Sequence, residues 1–348
     1  MQPTESFMLS EIREQPAALQ RLLDTELDRV AELAAAARSR EISLLFLAAR
    51  GTSDHAAVYA KYLSEIIAGL PAALAAPSVF TLYGADVRLS HALVLGISQS
   101  GKAADAIEVL RRARAGGQLT GCVTNDPESP MAQTAEFPLC CRAGVEKSLP
   151  ATKTYTTSLA LVYALIAQLA GKPQLIDDLR RAPEWIAQVL ATEERIAEQA
   201  ERYRYMDECV ILARGVNQCS ALEASLKLSE TSYLRAHPYS AADFQHGPIA
   251  VVGEGYPCIL IAPGGKGYDN MSGLATELCE RDAELIVVSD QEELLSRATT
   301  PLPMPTVPEF LSPIVAIVVL QLFAYHLASV KGRDPDRPRG LKKVTHTF

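Results

Sequence analysis

What most limits the fold of this chain is a recurring unit: a short apolar run, a small or hydroxyl-bearing turn, then a helical stretch. The run Ile42–Ala49 ends at Arg50-Gly-Thr-Ser53, and a helical pattern follows to about Leu70. Ala92–Ile97 ends at Ser98-Gln-Ser-Gly101 ahead of a helix over 103–115, and Leu119–Thr124 closes at Asn125-Asp-Pro127. Continuous apolar runs suit strands buried on both faces, and with helices between them they predict a parallel sheet covered on both sides. The second half repeats the theme. Cys209–Gly215 leads into a helix near 220–234. Tyr256–Ala262 closes at Pro263-Gly-Gly265 before a helix near 270–281, and Glu284–Ser289 closes at Asp290. Phe46-Leu-Ala-Ala-Arg-Gly51 and Ile211-Leu-Ala-Arg-Gly215 look like one element used twice, so the fold class is α/β with an internal duplication.

This pattern divides the 348 residues into five parts. They are a helical N-terminal segment (1–40), a first α/β domain (41–172), a helical connector (173–205), a second α/β domain (206–331) and a C-terminal tail (332–348). In the first segment Leu19, Leu22, Leu23 and Leu27 share one helical face across Met8–Ala37. The apolar stretch 310–330 is broken by Pro313, Gln321 and His326 and reads as a buried helix, not a membrane span. The first residues carry no basic stretch followed by an apolar run, and the seven cysteines read as small buried hydrophobes, so a cytoplasmic enzyme is expected. A net charge of -8 argues against nucleic acid as the main partner. No CxxC or HxxxH pair suggests a metal, and no GxGxxG or GxxxxGK[ST] loop suggests NAD or ATP, so no cofactor is expected.

Ser98-Gln99-Ser100-Gly101 follows a strand and precedes a helix. At that place free helix N–H groups favour an anion, the hydroxyls add donors, and Gly101 permits close approach. One such turn reads equally well as a helix cap. Gly51-Thr52-Ser53 at the neighbouring strand end makes a pair, and a pair favours phosphate. Elsewhere Glu223, Lys227 and Glu230 fall near one helical face, a spacing that also fits a solvated charged stripe. His246 lies in a loop ending Gly247-Pro248, where a lone histidine has no role by default.

Six segments in order carry a resemblance: Arg50-Gly-Thr-Ser53, Ser98-Gln-Ser-Gly101, Glu146-Lys-Ser-Leu-Pro-Ala-Thr-Lys153, Glu223-Ala-Ser-Leu-Lys-Leu-Ser-Glu230, His246-Gly-Pro248 and Arg339-Gly-Leu-Lys-Lys-Val344. Together they resemble the double-SIS sugar-phosphate isomerases: the isomerase half of glucosamine-6-phosphate synthase, SIS-type glucosamine-6-phosphate deaminases and fructosamine-6-phosphate deglycases. The resemblance implies two flavodoxin-like lobes, each a parallel sheet flanked by helices. It implies a homodimer with the sugar phosphate between the lobes, and phosphate contacts at Ser53, Ser98, Gln99 and Ser100 beside the Gly51-Thr52 turn. Leu149 and Ala151 become substrate contacts. The synthase pattern has threonine at Ala103 and serine at Ala151, so two hydroxyls are missing here.

By the same resemblance Glu230 is the base that moves a proton between C1 and C2, and Lys227 polarises the reacting carbons. His246 opens the sugar ring and reaches across the dimer into the neighbour's site. Lys343 forms a Schiff base with the open ketose, with Lys342 as the adjacent alternative. The chain begins at Met1-Gln2 and its first cysteine is Cys122, so no glutaminase domain is expected. The expected reaction is glucosamine 6-phosphate to fructose 6-phosphate and ammonia. The alternatives are a fructosamine-6-phosphate deglycase and, from another class, a non-catalytic sugar-phosphate-binding regulator.

Overall fold

The computed structural model describes residues 6–340. They form two compact units: residues 17–146 with 153–181, and residues 6–16 and 147–152 with 182–340.

The first unit is built on five strands, β1 (Leu44–Ala48), β2 (Ala72–Leu74), β3 (Ala92–Ile97), β4 (Leu119–Thr124) and β5 (Phe137–Cys140). Every pairing is parallel and the order is β2-β1-β3-β4-β5, the flavodoxin-like winding. Each residue of β3 and β4 is buried, as their unbroken apolar runs require. One face of the sheet packs on Ala106, Val109 and Leu110 of the helix Ala104–Ala115. Gly96 makes that contact possible, because a Cβ there would lie 2.5 Å from Leu110 Cδ1.

The second unit repeats the plan with β6 (Glu208–Ala213), β7 (Arg235–Ser240), β8 (Pro257–Ile261), β9 (Glu284–Ser289) and β10 (Thr300–Pro303). The order β10-β9-β8-β6-β7, again all parallel, is the first sheet read from its other edge. Met271, Leu274, Ala275 and Leu278 of the helix Tyr268–Cys279 cover one face. The helix Ser312–Val330 is apolar enough to cross a bilayer, yet 83% of its most apolar window is buried inside the protein. Two α/β units of one topology agree with the duplication read from sequence.

Four strands do not appear in the sequence reading: β2, β5, β7 and β10, the edges of the two sheets. The N-terminal helix is also interrupted. It forms as Phe7–Arg13, Gln15–Thr25 and Leu27–Ser39. Pro16 lacks an N–H for the ladder at the first break. At the second, buried Glu26 accepts hydrogen bonds from Cys140 N at 3.0 Å and Arg142 Nε at 2.7 Å. The stretch 173–205 holds three short helices, and the boundary between the units falls inside it, after Arg181. Six cysteines are buried, while Cys279 is exposed, against the expectation that all would be core residues.

Candidate functional site

The winding of the first sheet reverses between β1 and β3, and the turns after these strands flank that switch point, where α/β sheets bind ligands. Gly51, at φ +56°, starts the helix Thr52–Leu63, and Ala103 starts Ala104–Ala115. Neither Gly51 nor Ala103 has a side chain that can cap its helix, and in the second helix Asp105 Oδ1 takes one first-turn N–H, that of Ala106, at 2.9 Å. Ser98 is nearly buried, Gln99 and Ser100 are half-buried, as are Thr52 and Ser53, and Lys102 is exposed.

The loop's own carbonyls bond into the structure. Ser98 O accepts from Gly101 N at 3.1 Å, Gln99 O from Asn125 N at 3.0 Å, and Gly101 O from Met131 N at 3.0 Å. Lys102 N donates to Ser100 Oγ at 3.3 Å. Gly101 is required twice over. It sits at φ +61°, and a Cβ on it would fall 2.0 Å from the hydroxyl oxygen of Ser129. Ser129 is itself buried and caps the helix Pro130–Thr134 by accepting from Ala132 N.

An ion pair joins the two turns. Arg50 Nε stands 2.6 Å from Oδ2 of Asp105, which is buried in the first turn of the helix after Ser98–Gly101. Sequence reasoning did not single out Asp105, because an acidic residue in a first helical turn ordinarily just answers the helix dipole. Burial raises the Asp54 carboxyl above its usual range, partly offset by His55 and Arg50. Beside Gln99 an open groove of about 610 Å³ runs past Asn125 and Arg142.

In the second unit β6 turns at Gly215, φ +62°, into the helix Gln218–Ser232. Glu223, Lys227 and Glu230 do not form a solvated stripe. Lys227 is 1% exposed and its Nζ lies 3.3 Å from Oε1 of fully buried Glu223 and 2.6 Å from Oε2 of Glu230. Burial alone would push the ammonium's pKa down, but the two carboxylates together outweigh it and the pKa is raised. Lys227 therefore stays charged and fixes Glu230, whose side chain keeps 20% exposure. A partly exposed carboxylate with one oxygen held by a dry cation has the arrangement that proton transfer requires.

This helix ends on Tyr233 in the left-handed region, φ +58° and ψ 32°. An aromatic residue there costs about 1–2 kcal/mol that glycine would avoid. The Tyr233 hydroxyl accepts from Arg339 N at 3.0 Å, and the Arg339 guanidinium lies 4.0 Å from the ring centroid. Three residues earlier, the Asp336 carboxylate accepts from Phe7 N and Met8 N, both at 2.8 Å, at the start of the helix Phe7–Arg13. Glu11 of that helix in turn accepts from the backbone N–H groups of Lys147 and Ser148. Leu149 and Ala151, both half-buried, belong to this same stretch of the second unit. In the first unit Glu146 accepts from Thr154 N and Oγ1, and Lys153 Nζ donates to Val145 O at 2.7 Å.

The structure thus places Gly51, Thr52, Ser53, Ser98, Gln99 and Ser100 at adjacent strand ends, and Lys227 with Glu230 on one helix. His246 is exposed at the end of the helix Ala241–Gln245, so it caps a short helix where a plain loop was expected. Lys342 and Lys343 lie outside the described residues. Among the described residues no group of three or more His, Cys, Asp or Glu is arranged to hold a metal.

Comparison with known proteins adds three findings. The SIS domain family model matches residues 40–168 and again 206–331. The glutamine–fructose-6-phosphate aminotransferase [isomerizing] of Thermococcus kodakarensis is 36% identical over 346 residues, covering 97% of this chain and 57% of that protein. The chain therefore spans a little over half the length of such curated relatives. Among solved structures, a protein of Silicibacter pomeroyi DSS-3 provisionally described as a phosphosugar isomerase matches at TM-score 0.87 and 34% identity, covering 95% of this chain and all of that one. The C-terminal domain of glucosamine-fructose-6-phosphate aminotransferase from Francisella tularensis matches at TM-score 0.87 and 27% identity, covering 97% and 99%.

Proposed function

Given that this chain belongs to the SIS domain family and carries the domain twice, we propose that it is an amino-sugar-6-phosphate aldose/ketose isomerase that releases ammonia from glucosamine 6-phosphate. The observation that carries the reading is the buried Glu223–Lys227–Glu230 triad, with one carboxylate left half-exposed. Isomerisation needs one positioned carboxylate that takes a proton from C2 and returns it to C1. The names of the relatives above support the sugar phosphate as substrate class.

In the proposed reaction the first unit's turns hold the phosphate through Ser53, Ser98, Gln99 and Ser100. His246 opens the ring, in a homodimer that shares it between subunits. Glu230 removes the C2 proton of the open aldehyde, leaving an enolamine, and protonation at C1 gives a ketose with an imine at C2. Water adds to that carbon, the C–N bond breaks, and fructose 6-phosphate and ammonia leave. In this reading Lys343 supplies the amine that meets the ketose carbonyl, and it must be unprotonated to do so. These cysteines suit a nucleophile poorly: burial pushes the thiols of Cys122, Cys141, Cys209 and Cys258 up to about 12.

The test is to incubate the purified protein with glucosamine 6-phosphate and measure ammonia and fructose 6-phosphate together. Equal amounts of both are expected. No ammonia, with turnover of a fructosamine 6-phosphate instead, would transfer the assignment to a deglycase. Saturable binding of the sugar phosphate without turnover of either would make the chain a sensor and end the enzymatic reading.

A further inference from the structure

We infer that Arg50 is a binding residue of the first lobe: its guanidinium, clamped through Nε by Asp105, offers its terminal amino groups to the phosphate ester of the sugar. The inference rests on the reading of Ser53, Ser98, Gln99 and Ser100 as phosphate contacts, and it adds a fixed cation to their hydroxyls.

The first ground is place. Arg50 lies between the end of β1 at Ala48 and Gly51, which starts the next helix. The parallel register sets Ala48 beside Gly96, and continued by two residues it brings Arg50 level with Ser98. From there the side chain spans to Asp105, in the first turn of the helix after Ser98–Gly101. The guanidinium thus stands at the N-terminal ends of two helices, where the helix dipoles repel a cation and attract an anion. A cation kept at such a place is favoured when an anion shares it.

The second ground is how the side chain is held. Asp105 is buried and both its oxygens are engaged: Oδ2 takes Arg50 Nε at 2.6 Å, and Oδ1 takes Ala106 N at 2.9 Å. A guanidinium has five N–H donors in one plane, and this bond uses one of them. The Arg50 side chain is 50% exposed, and among the described residues no acceptor meets its terminal amino groups. An arginine fixed at one edge presents the other as a fork, which suits pairs of phosphate oxygens.

The third ground is what else the turns contain. Their cationic side chains are Arg50 and Lys102, and Lys102 is exposed. Ala103, at the start of its helix, has no hydroxyl to give. Asp54, in the first turn of the other helix, also feels Arg50, whose charge draws its carboxyl down against the larger effect of burial.

The experiment measures binding of fructose 6-phosphate to the full chain by calorimetry, and of inorganic phosphate by competition against it. Wild type is compared with Arg50→Met, Arg50→Lys and Asp105→Asn, and a melting midpoint shows that each is folded. Arg50→Met should weaken both ligands by the same factor, roughly 10- to 100-fold. Arg50→Lys keeps the charge but cannot hold Asp105 and fork a phosphate at once, so its affinity should fall between wild type and Arg50→Met. Asp105→Asn loosens the clamp and should also give an intermediate loss. Wild-type affinity in folded Arg50→Met would overturn the inference, and full recovery in Arg50→Lys would overturn the clamped fork. A loss confined to fructose 6-phosphate would overturn the assignment to the phosphate group. A wild type that binds neither ligand would sink the phosphate reading of the turns together with this inference, whereas one that binds both without turnover would refute the proposed reaction alone.

Discussion

The two lobes share one winding, yet their switch points have met opposite fates. In the first, the turn Ser98–Gly101 directs its carbonyls into the protein and leaves hydroxyls beside two uncapped helix starts. In the second, the matching turn after β8 is occupied by the protein's own acids. Gly264 N donates to Asp290 Oδ1 at 2.7 Å, and Lys266 N donates to Glu309 Oε1 at 2.9 Å. A Cβ on Gly265 would land 2.6 Å from the Glu309 carboxyl carbon, and the space left beside Arg214 and Gly264 is only about 10 Å³. The fold supplies an N–H-rich turn at each such place. What faces it differs between the lobes: the acids Glu309 and Asp290 in the second, the hydroxyls of Ser98 and Ser100 in the first. The second lobe carries its buried Glu223–Lys227–Glu230 cluster elsewhere, on the helix that follows β6.

The proposed reaction puts binding in one lobe and proton transfer in the other, and substitutions can separate them. The largest effect is expected from Glu230→Gln, which should lower kcat by about 10²–10⁴-fold while leaving sugar-phosphate affinity near wild type. Calorimetric binding beside steady-state kinetics checks this, and an active variant would remove Glu230 from the role of base. Next comes Ser98→Ala, which should weaken sugar-phosphate binding by roughly tenfold, about 1.4 kcal/mol. Its counterpart Glu309→Gln should leave that affinity unchanged and lower the melting temperature, since it weakens only an internal bond. Equal losses of affinity in the two variants would erase the distinction between the switch points.

The smallest effect is in pH dependence, and its sign differs between lobes. Asp54 in the first lobe has its carboxyl raised from 3.8, chiefly by burial. Its contribution to stability is present below 3.8 and is lost as pH rises through the raised value. His326 in the second lobe is lowered from 6.5 by burial, against the pull of Glu193 at 3.3 Å and beside the charge of Arg13. Its contribution is present above 6.5 and is lost as pH falls through the lowered value. Melting curves from pH 3 to 8 should therefore show His326→Gln approaching wild type in acid, and Asp54→Asn approaching it there while departing upward near neutrality. Parallel curves for all three proteins would contradict both shifts.

The sequence shows the inner sheet readily and the edges hardly at all. β3, β4 and β9 were legible because a strand covered on both faces must be apolar throughout. β2 spans three residues, and β5, β7 and β10 carry Pro138, Pro238, Pro301 and Pro303, residues tolerated only where one side of the strand needs no partner. The site divides in the same way. Ser98–Gly101 stood out because its turn chemistry is local. The burial of Lys227 between Glu223 and Glu230 was not visible, since helical spacing reports which residues share a face and not whether that face is wet. Asp105 and Tyr233 draw their roles from partners 55 and 106 residues distant, at Arg50 and Arg339, and no local pattern encodes such pairings.

The close seating of Gly101 on Ser129 has a consequence for how affinity can change over time. A residue sealed in the interior, one strand along from the anion turn, sets how far that turn can sag. Drift at position 129 toward threonine or valine would press on the turn from behind and shift its backbone, with the side chains of Ser98, Gln99 and Ser100 left as they were. If this turn binds as proposed, the residues that set its shape extend at least one layer deeper than those a ligand would touch.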